Sequence, residues 1–173
     1  MGLTSAVNSG INMRRTITIA ALSLFIGLQS AFAAPGGGSF EPTVKPSNDA
    51  ALEADFAQGE YLIKSEKFAE AIPYLERVIA KKADHADALN YLGYANRKLG
   101  KNDVSLGFYQ RALKADPKHK GANEYLGELY LQMKDLPKAE AQLAILKELC
   151  PAGCEEREDL EADIAEYKKA AKP

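Results

Sequence analysis

Gly59, Gly93 and Gly127 are separated by 34 residues, and four further columns keep the same interval. They are Ala71, Ser105 and Ala139; Leu75, Tyr109 and Leu143; Val78, Ala112 and Leu146; and Ala83, Pro117 and Pro151. Five columns in register over three periods describe a copied structural unit. Units of this length stack on one another because each alone leaves an apolar face uncovered. Within a unit the apolar residues follow the helical period: Leu89, Leu92, Tyr94 and Leu99, then Tyr125, Leu129 and Met133. The spacing predicts helix pairs over 50–65 and 68–82, 86–99 and 102–115, and 120–133 and 136–149. Asp135, ahead of Leu136 and Pro137, reads as an N-cap with proline in the first turn.

Each column has a physical cause. Glycine in the first helix and alanine in the second suit a place where two helices cross closely and a larger side chain would wedge them apart. The Leu and Tyr positions fill the groove between neighbouring hairpins. Proline ends the second helix and turns the chain into the next unit. From about Leu52 to Gly153 the chain resembles the tetratricopeptide-repeat family. The motif residues are Leu92-Gly93 and Leu126-Gly127, the aromatic Tyr130, the small Ala71 and Ala139, and the closing Pro117 and Pro151. The resemblance implies an all-α fold, a right-handed superhelical stack of three helix-turn-helix repeats over 52–85, 86–119 and 120–153. The first repeat departs most, with Gln58 before its glycine and Ala83 for proline. Pro73 is expected to kink its helix, and Gly107 to cost about 1 kcal/mol relative to Ala. Residues 154–173 supply Leu160, Ile164 and Tyr167 on one stripe, with charges elsewhere. That pattern suits the capping helix a repeat stack needs at its end.

Ahead of the repeats, Arg14 and Arg15 precede an apolar run from Ile17 to Leu28 and the small-residue pattern Ala31-Phe32-Ala33. This is the layout of a secretory signal peptide over 1–33, cleaved after Ala33, with Met13 a plausible true start. The run is too short for the roughly 20 residues a spanning helix requires. The expectation is an exported protein, in the periplasm of a Gram-negative bacterium, touching membrane only through a partner or an uncleaved signal segment. Residues 34–49, rich in Gly and Pro, read as a flexible tether.

The formal charge is −2, and loss of Arg14 and Arg15 would leave 20 basic residues against 24 acids. Such a chain has no electrostatic reason to seek nucleic acid or anionic lipid. There is no Gly-rich phosphate loop, no metal-spaced His cluster and no serine with a plausible His and Asp, so neither catalysis nor a small-molecule substrate or cofactor is expected. The carboxylates fall at surface helical positions, and no pair stands out as buried.

The resemblance implies a concave groove lined by the first helix of each repeat, holding a partner's peptide or helix. On this register it comprises Glu53, Phe56, Glu60, Ile63 and Lys64, then Asp87, Asn90, Tyr91, Tyr94, Arg97 and Lys98, then Glu124, Tyr125, Glu128, Leu131 and Gln132. One branch of the family clamps C-terminal carboxylates with two lysines, two asparagines and an arginine. Here those positions carry Phe56, Glu60, Tyr91, Gly121 and Tyr125, so the clamp is absent. An acidic, tyrosine-rich groove better suits a basic or aromatic-rich partner segment.

Cys150 and Cys154 are the only cysteines, joining the last repeat to the cap through Pro151 and Gly153. In an exported protein this pair reads as a structural disulfide. A labile redox pair, or a copper or zinc site needing a third ligand from elsewhere, are the alternatives, and with them a thiol or copper carrier. His85 and His119 occupy equivalent inter-repeat turns and read as solvated turn residues.

Overall fold

The computed structural model describes residues 48–171, so the signal-peptide reading and almost all of the tether reading lie outside the described residues. Among the described residues there are seven α-helices and no strand. They are α1 (Asn48–Lys64), α2 (Phe68–Lys81), α3 (Ala86–Lys98), α4 (Asn102–Ala115), α5 (Lys120–Gln132), α6 (Leu136–Leu149) and α7 (Glu155–Ala170). Every boundary of the first six falls within two residues of the spacing-based expectation. None of these helices is long and apolar enough to cross a membrane.

α1 packs on α2, α3 on α4 and α5 on α6 as antiparallel hairpins, and α7 covers α5 and α6. Each hairpin turn is built alike. Lys67 N–H donates to Leu62 O, Lys101 N–H to Asn96 O, and Asp135 N–H to Tyr130 O, at 2.9, 2.9 and 2.8 Å. Closing the helix this way needs a left-handed residue just before the donor. Glu66, Gly100 and Lys134 fill that role with φ of 58°, 75° and 61°, and only one of the three is glycine.

The glycine column marks the tightest approaches. A Cβ on Gly59 would lie 2.6 Å from Leu75, and one on Gly93 would lie 2.5 Å from the Tyr109 ring. Both neighbours come from the second helix of the same hairpin. Gly127 differs: its Cβ would meet Leu160 of α7 at 2.5 Å, so the cap completes the last groove. Ala71 and Ala139 are fully buried, as are Leu75, Val78, Tyr109 and Leu146. At α2, helix continues through Pro73, whose carbonyl accepts from Arg77 Nη1 at 3.2 Å. The missing proline N–H forfeits one hydrogen bond without ending the helix.

α6 starts as expected, with Lys138 N–H donating to Asp135 Oδ1 at 3.2 Å. The histidine reading needs correction. His85 and His119 are the N-caps of α3 and α5, their Nδ1 atoms accepting from Ala88 N–H and Ala122 N–H at 3.3 and 3.0 Å. Each ring does the work usually given to Ser or Asp at that position. Pro117 and Pro151 stand exposed immediately after the residues that end α4 and α6. Cys150 and Cys154 are joined by a disulfide, with Cα atoms 6.0 Å apart.

Candidate functional site: the concave groove

The first helices α1, α3 and α5, continued by α7, form one face. Its floor is aromatic. Tyr94 and Tyr125 lie 4.9 Å apart between ring centroids, Phe68 meets Tyr94 edge-on at 5.7 Å, and Phe56 packs on His85 at 4.7 Å and on Tyr91 at 6.0 Å. Tyr91, Tyr94 and Tyr125 are each half-buried, so they belong to the core on one side and to the surface on the other. Beneath them, Arg97 is buried and pairs with Glu128 at 2.5 Å. Its guanidinium lies 5.4 and 5.6 Å from the centroids of Tyr94 and Tyr125. Ile63 and Asn90 are also buried, so several positions assigned to the groove support it from below rather than facing solvent. Ile63 and Lys64 border a hollow with Tyr91, Tyr94 and Tyr125, and Leu131 borders another with Glu128, Gln132 and Tyr167.

The acids at the two ends of this face are handled differently. At the α1 end, Glu60 accepts from Lys64 at 2.9 Å and from the Tyr91 hydroxyl at 3.1 Å. The lysine first, and then the tyrosine, hold its carboxyl below the ordinary value. Tyr91, in turn, is pushed up to about 12, first by burial and then by the Glu60 charge. At the α5 end, Glu124 is only 7% exposed and has no salt-bridge partner among the described residues. Burial pushes its carboxyl up to about 8, with Glu128, Asp159 and Glu156 adding to the shift and Arg97 opposing it. Burial also raises Glu128, against the pull of Arg97, and raises Asp163 beside Glu166. The expectation that no carboxylate pair is buried is therefore corrected: Glu124 and Glu128, one helical turn apart on α5, are both withdrawn from solvent.

Part of this wall comes from a helix expected only to cap. Glu155, Glu156 and Asp159 of α7 join Asp87, Asn90, Tyr91, His119, Gly121, Glu124 and Tyr125 around a cleft of about 310 Å³. Asp163 and Glu166 line the next hollow with Glu128. The signal lay in the period itself. Leu160 and Ile164 stand 34 residues after Leu126 and Tyr130, and Glu155 and Asp159 stand 34 after Gly121 and Tyr125. α7 thus occupies the place of a fourth first helix, with Glu161 where the glycine would fall. Glu161 faces Lys147 at 2.8 Å, a position that needs no close approach because no further hairpin follows it in the described residues.

Among the described residues no three His, Cys, Asp or Glu side chains gather as a metal site. The Cys150–Cys154 sulfurs are bonded to each other, near Arg157, which donates to the carbonyls of Cys150 and Pro151 and ties α7 to the hinge.

Stacked helix hairpins of constant length, closed by a cap and opening one concave face, define an α-solenoid. The family model described as "Tetratricopeptide repeat" matches residues 56–120 and 97–153. The chain belongs to the tetratricopeptide-repeat family.

Solved structures share the fold. One is the first TPR of Spaghetti (RPAP3) bound to an HSP90 peptide, 16% identical, covering 69% of this chain and 92% of that one, with a TM-score of 0.62. A second is the Yersinia enterocolitica type III secretion chaperone SycD in complex with a peptide of the translocator YopD. It is 22% identical over 72% of this chain and 93% of that one, with a TM-score of 0.61. A third is PcrH in complex with the chaperone binding region of PopD, 18% identical over 75% and 99%, with a TM-score of 0.64. A curated relative, the inactive peptidyl-prolyl cis-trans isomerase shutdown of Bombyx mori, is 38% identical over 61 residues. That match takes in 35% of this chain but spans only 14% of the relative's length.

Proposed function

We propose that this chain is a non-enzymatic protein-interaction module that holds a basic or aromatic-rich segment of a partner protein in its concave groove. The observation that carries the reading is the row of half-buried tyrosines, Tyr91, Tyr94 and Tyr125, flanked by Glu124, Glu155 and Asp159, which have no basic partner among the described residues. Tyrosines give large contact area with little entropy to lose, and the acids select for cations. The peptide-bound relatives named above support the reading by analogy of fold. On the signal-like leader, the working place is the periplasm of a Gram-negative cell, where the chain acts as an adaptor or scaffold in assembling an envelope complex.

A photo-crosslinking residue at Lys98, an exposed groove position, tests this in cells. The captured protein should then bind the purified chain, and Tyr94→Ala with Asp159→Lys should weaken it at least tenfold while the helical circular dichroism persists. Binding unchanged by the groove substitutions would overturn the reading. Recovery of a mature protein beginning at Ala34 from the periplasmic fraction tests the location.

A further inference from the structure

We propose that the cleft between α3, α5 and α7 is an anchor pocket for a single arginine side chain of the partner segment. The inference rests on the groove reading and specifies its recognition chemistry. Asn90 borders the cleft, is only 4% exposed, and its Oδ1 has no hydrogen-bond partner. A buried acceptor in that state costs free energy unless something donates to it. Beside it lies the Glu124 carboxyl group, 7% exposed and without a cation. Gly121 leaves the approach open: a Cβ there would stand 3.4 Å from Asn90 Nδ2 and occupy space above it.

The other groups decide which ligand fits. Asp159 and Glu155 extend the acceptor surface outward, and no salt bridge engages either among the described residues. Two acids of the rim already have partners: Glu156 pairs with Lys120 at 3.5 Å, and Asp87 accepts from His119 Nε2 at 3.1 Å. Because His119 Nδ1 accepts the Ala122 N–H, its neutral ring carries the proton on Nε2 and donates to Asp87. The groups left over are almost all acceptors, so the missing partner must be rich in N–H donors and positively charged. Tyr91 and Tyr125 add flat walls.

A guanidinium meets all of these conditions. It is planar, presents five donors in a fixed fork, stacks on aromatic faces, and is more weakly hydrated than an ammonium. The cleft, about 310 Å³, is of a size for one such side chain and too small for a folded element.

The test uses the full-length chain, ¹⁵N-labelled, titrated with N-acetyl-L-arginine amide, N-acetyl-L-lysine amide and N-acetyl-L-citrulline amide. The arginine derivative should give saturating shifts at the amides of Gly121, Glu124 and Asp159. The neutral isostere citrulline should bind at least tenfold more weakly, and so should lysine. Glu124→Gln and Asn90→Leu should each weaken arginine about tenfold, with the remaining spectrum unchanged as the control for folding. Shifts that do not saturate, lie elsewhere, or are matched by citrulline overturn the pocket. Equal binding of lysine overturns the guanidinium assignment.

A random-peptide display selection on the same protein separates the two readings. Groove-dependent peptides that keep their affinity when arginine is replaced by citrulline sink the anchor pocket and leave the groove standing. Failure to select any groove-dependent peptide sinks the groove reading, while the amino-acid titration still reports on the cleft.

Discussion

The two ends of the groove use the same residue types and treat them in opposite ways. At the α1–α2 end, Asp55 accepts from Arg77 at 2.7 Å and from Lys81 at 3.3 Å, and Glu60 accepts from Lys64. Both carboxyls are held below their ordinary values, Asp55 chiefly by the Arg77 hydrogen bond. At the α5–α7 end, Glu124 and Glu128 are buried deeply enough that their carboxyls rise instead, and only Glu128 has a cation. At one end Asp55 and Glu60 are both paired with cations; at the other the fold leaves Glu124 without one. That difference points to where a partner's charge would add most.

The largest break in that contrast should come from Leu160→Ala. Leu160 is fully buried and seats against Gly127, so its truncation leaves a cavity costing about 3 kcal/mol. In a repeat stack the loss should stay local, because each unit touches only its neighbours. Amide hydrogen exchange should therefore accelerate in α5, α6 and α7 while α1 and α2 keep their protection. The matched control is Leu75→Ala, where Leu75 seats against Gly59, and there the pattern should reverse. Uniform acceleration in both variants would mean the molecule opens as a single unit.

Much of this arrangement was legible in the sequence, and the reason is the period. Repetition fixes register, so the 34-residue columns placed six helices and their buried faces. The acidic wall was not legible, because an apolar stripe of Leu160, Ile164 and Tyr167 with charges elsewhere describes a capping helix equally well. Extending the columns by one more period puts Glu155 and Asp159 on the groove, a step that composition does not suggest. The histidines were missed for a different reason: a ring nitrogen capping a helix depends on backbone angles at the turn, which no residue pattern encodes. Burial of Glu124 was likewise hidden, since a helical acid reads as solvated until a neighbouring helix covers it.

A smaller effect, of unusual sign, sharpens the contrast. Glu124 titrates near 8 in the folded protein against about 4.3 in an unfolded chain. Between those values the folded state holds a proton that the unfolded state has lost, so stability falls as pH rises across the window and levels off above it. Replacing Glu124 by Gln should stabilise the protein by roughly 1–3 kcal/mol at pH 8.5 and change little at pH 4. Thermal unfolding of both proteins from pH 4 to 9 checks it. The groups facing Glu124 are Glu128 and Arg97 within the groove and Glu156 and Asp159 on α7, and none of them changes in the variant. An unchanged slope of stability against pH would show that Glu124 is ionised and solvated in the free protein.

The smallest effect belongs to the paired end. Asp55→Asn removes the charge of a carboxylate whose folded value is depressed, so what that charge contributes is present above about pH 4 and is lost as pH falls through the folded value. Arg77 and Lys81 are themselves substantially exposed, so screening limits the loss to about 0.5–1 kcal/mol at pH 7. Half-molar salt should erase most of that difference, whereas the Glu124→Gln gain, which comes from burial more than from charge pairing, should persist in the same salt. Parallel urea titrations of the two variants at low and high salt would read both signs at once. If salt erased the two differences alike, Glu124 would be a surface charge like Asp55, and the electrostatic distinction between the ends would collapse.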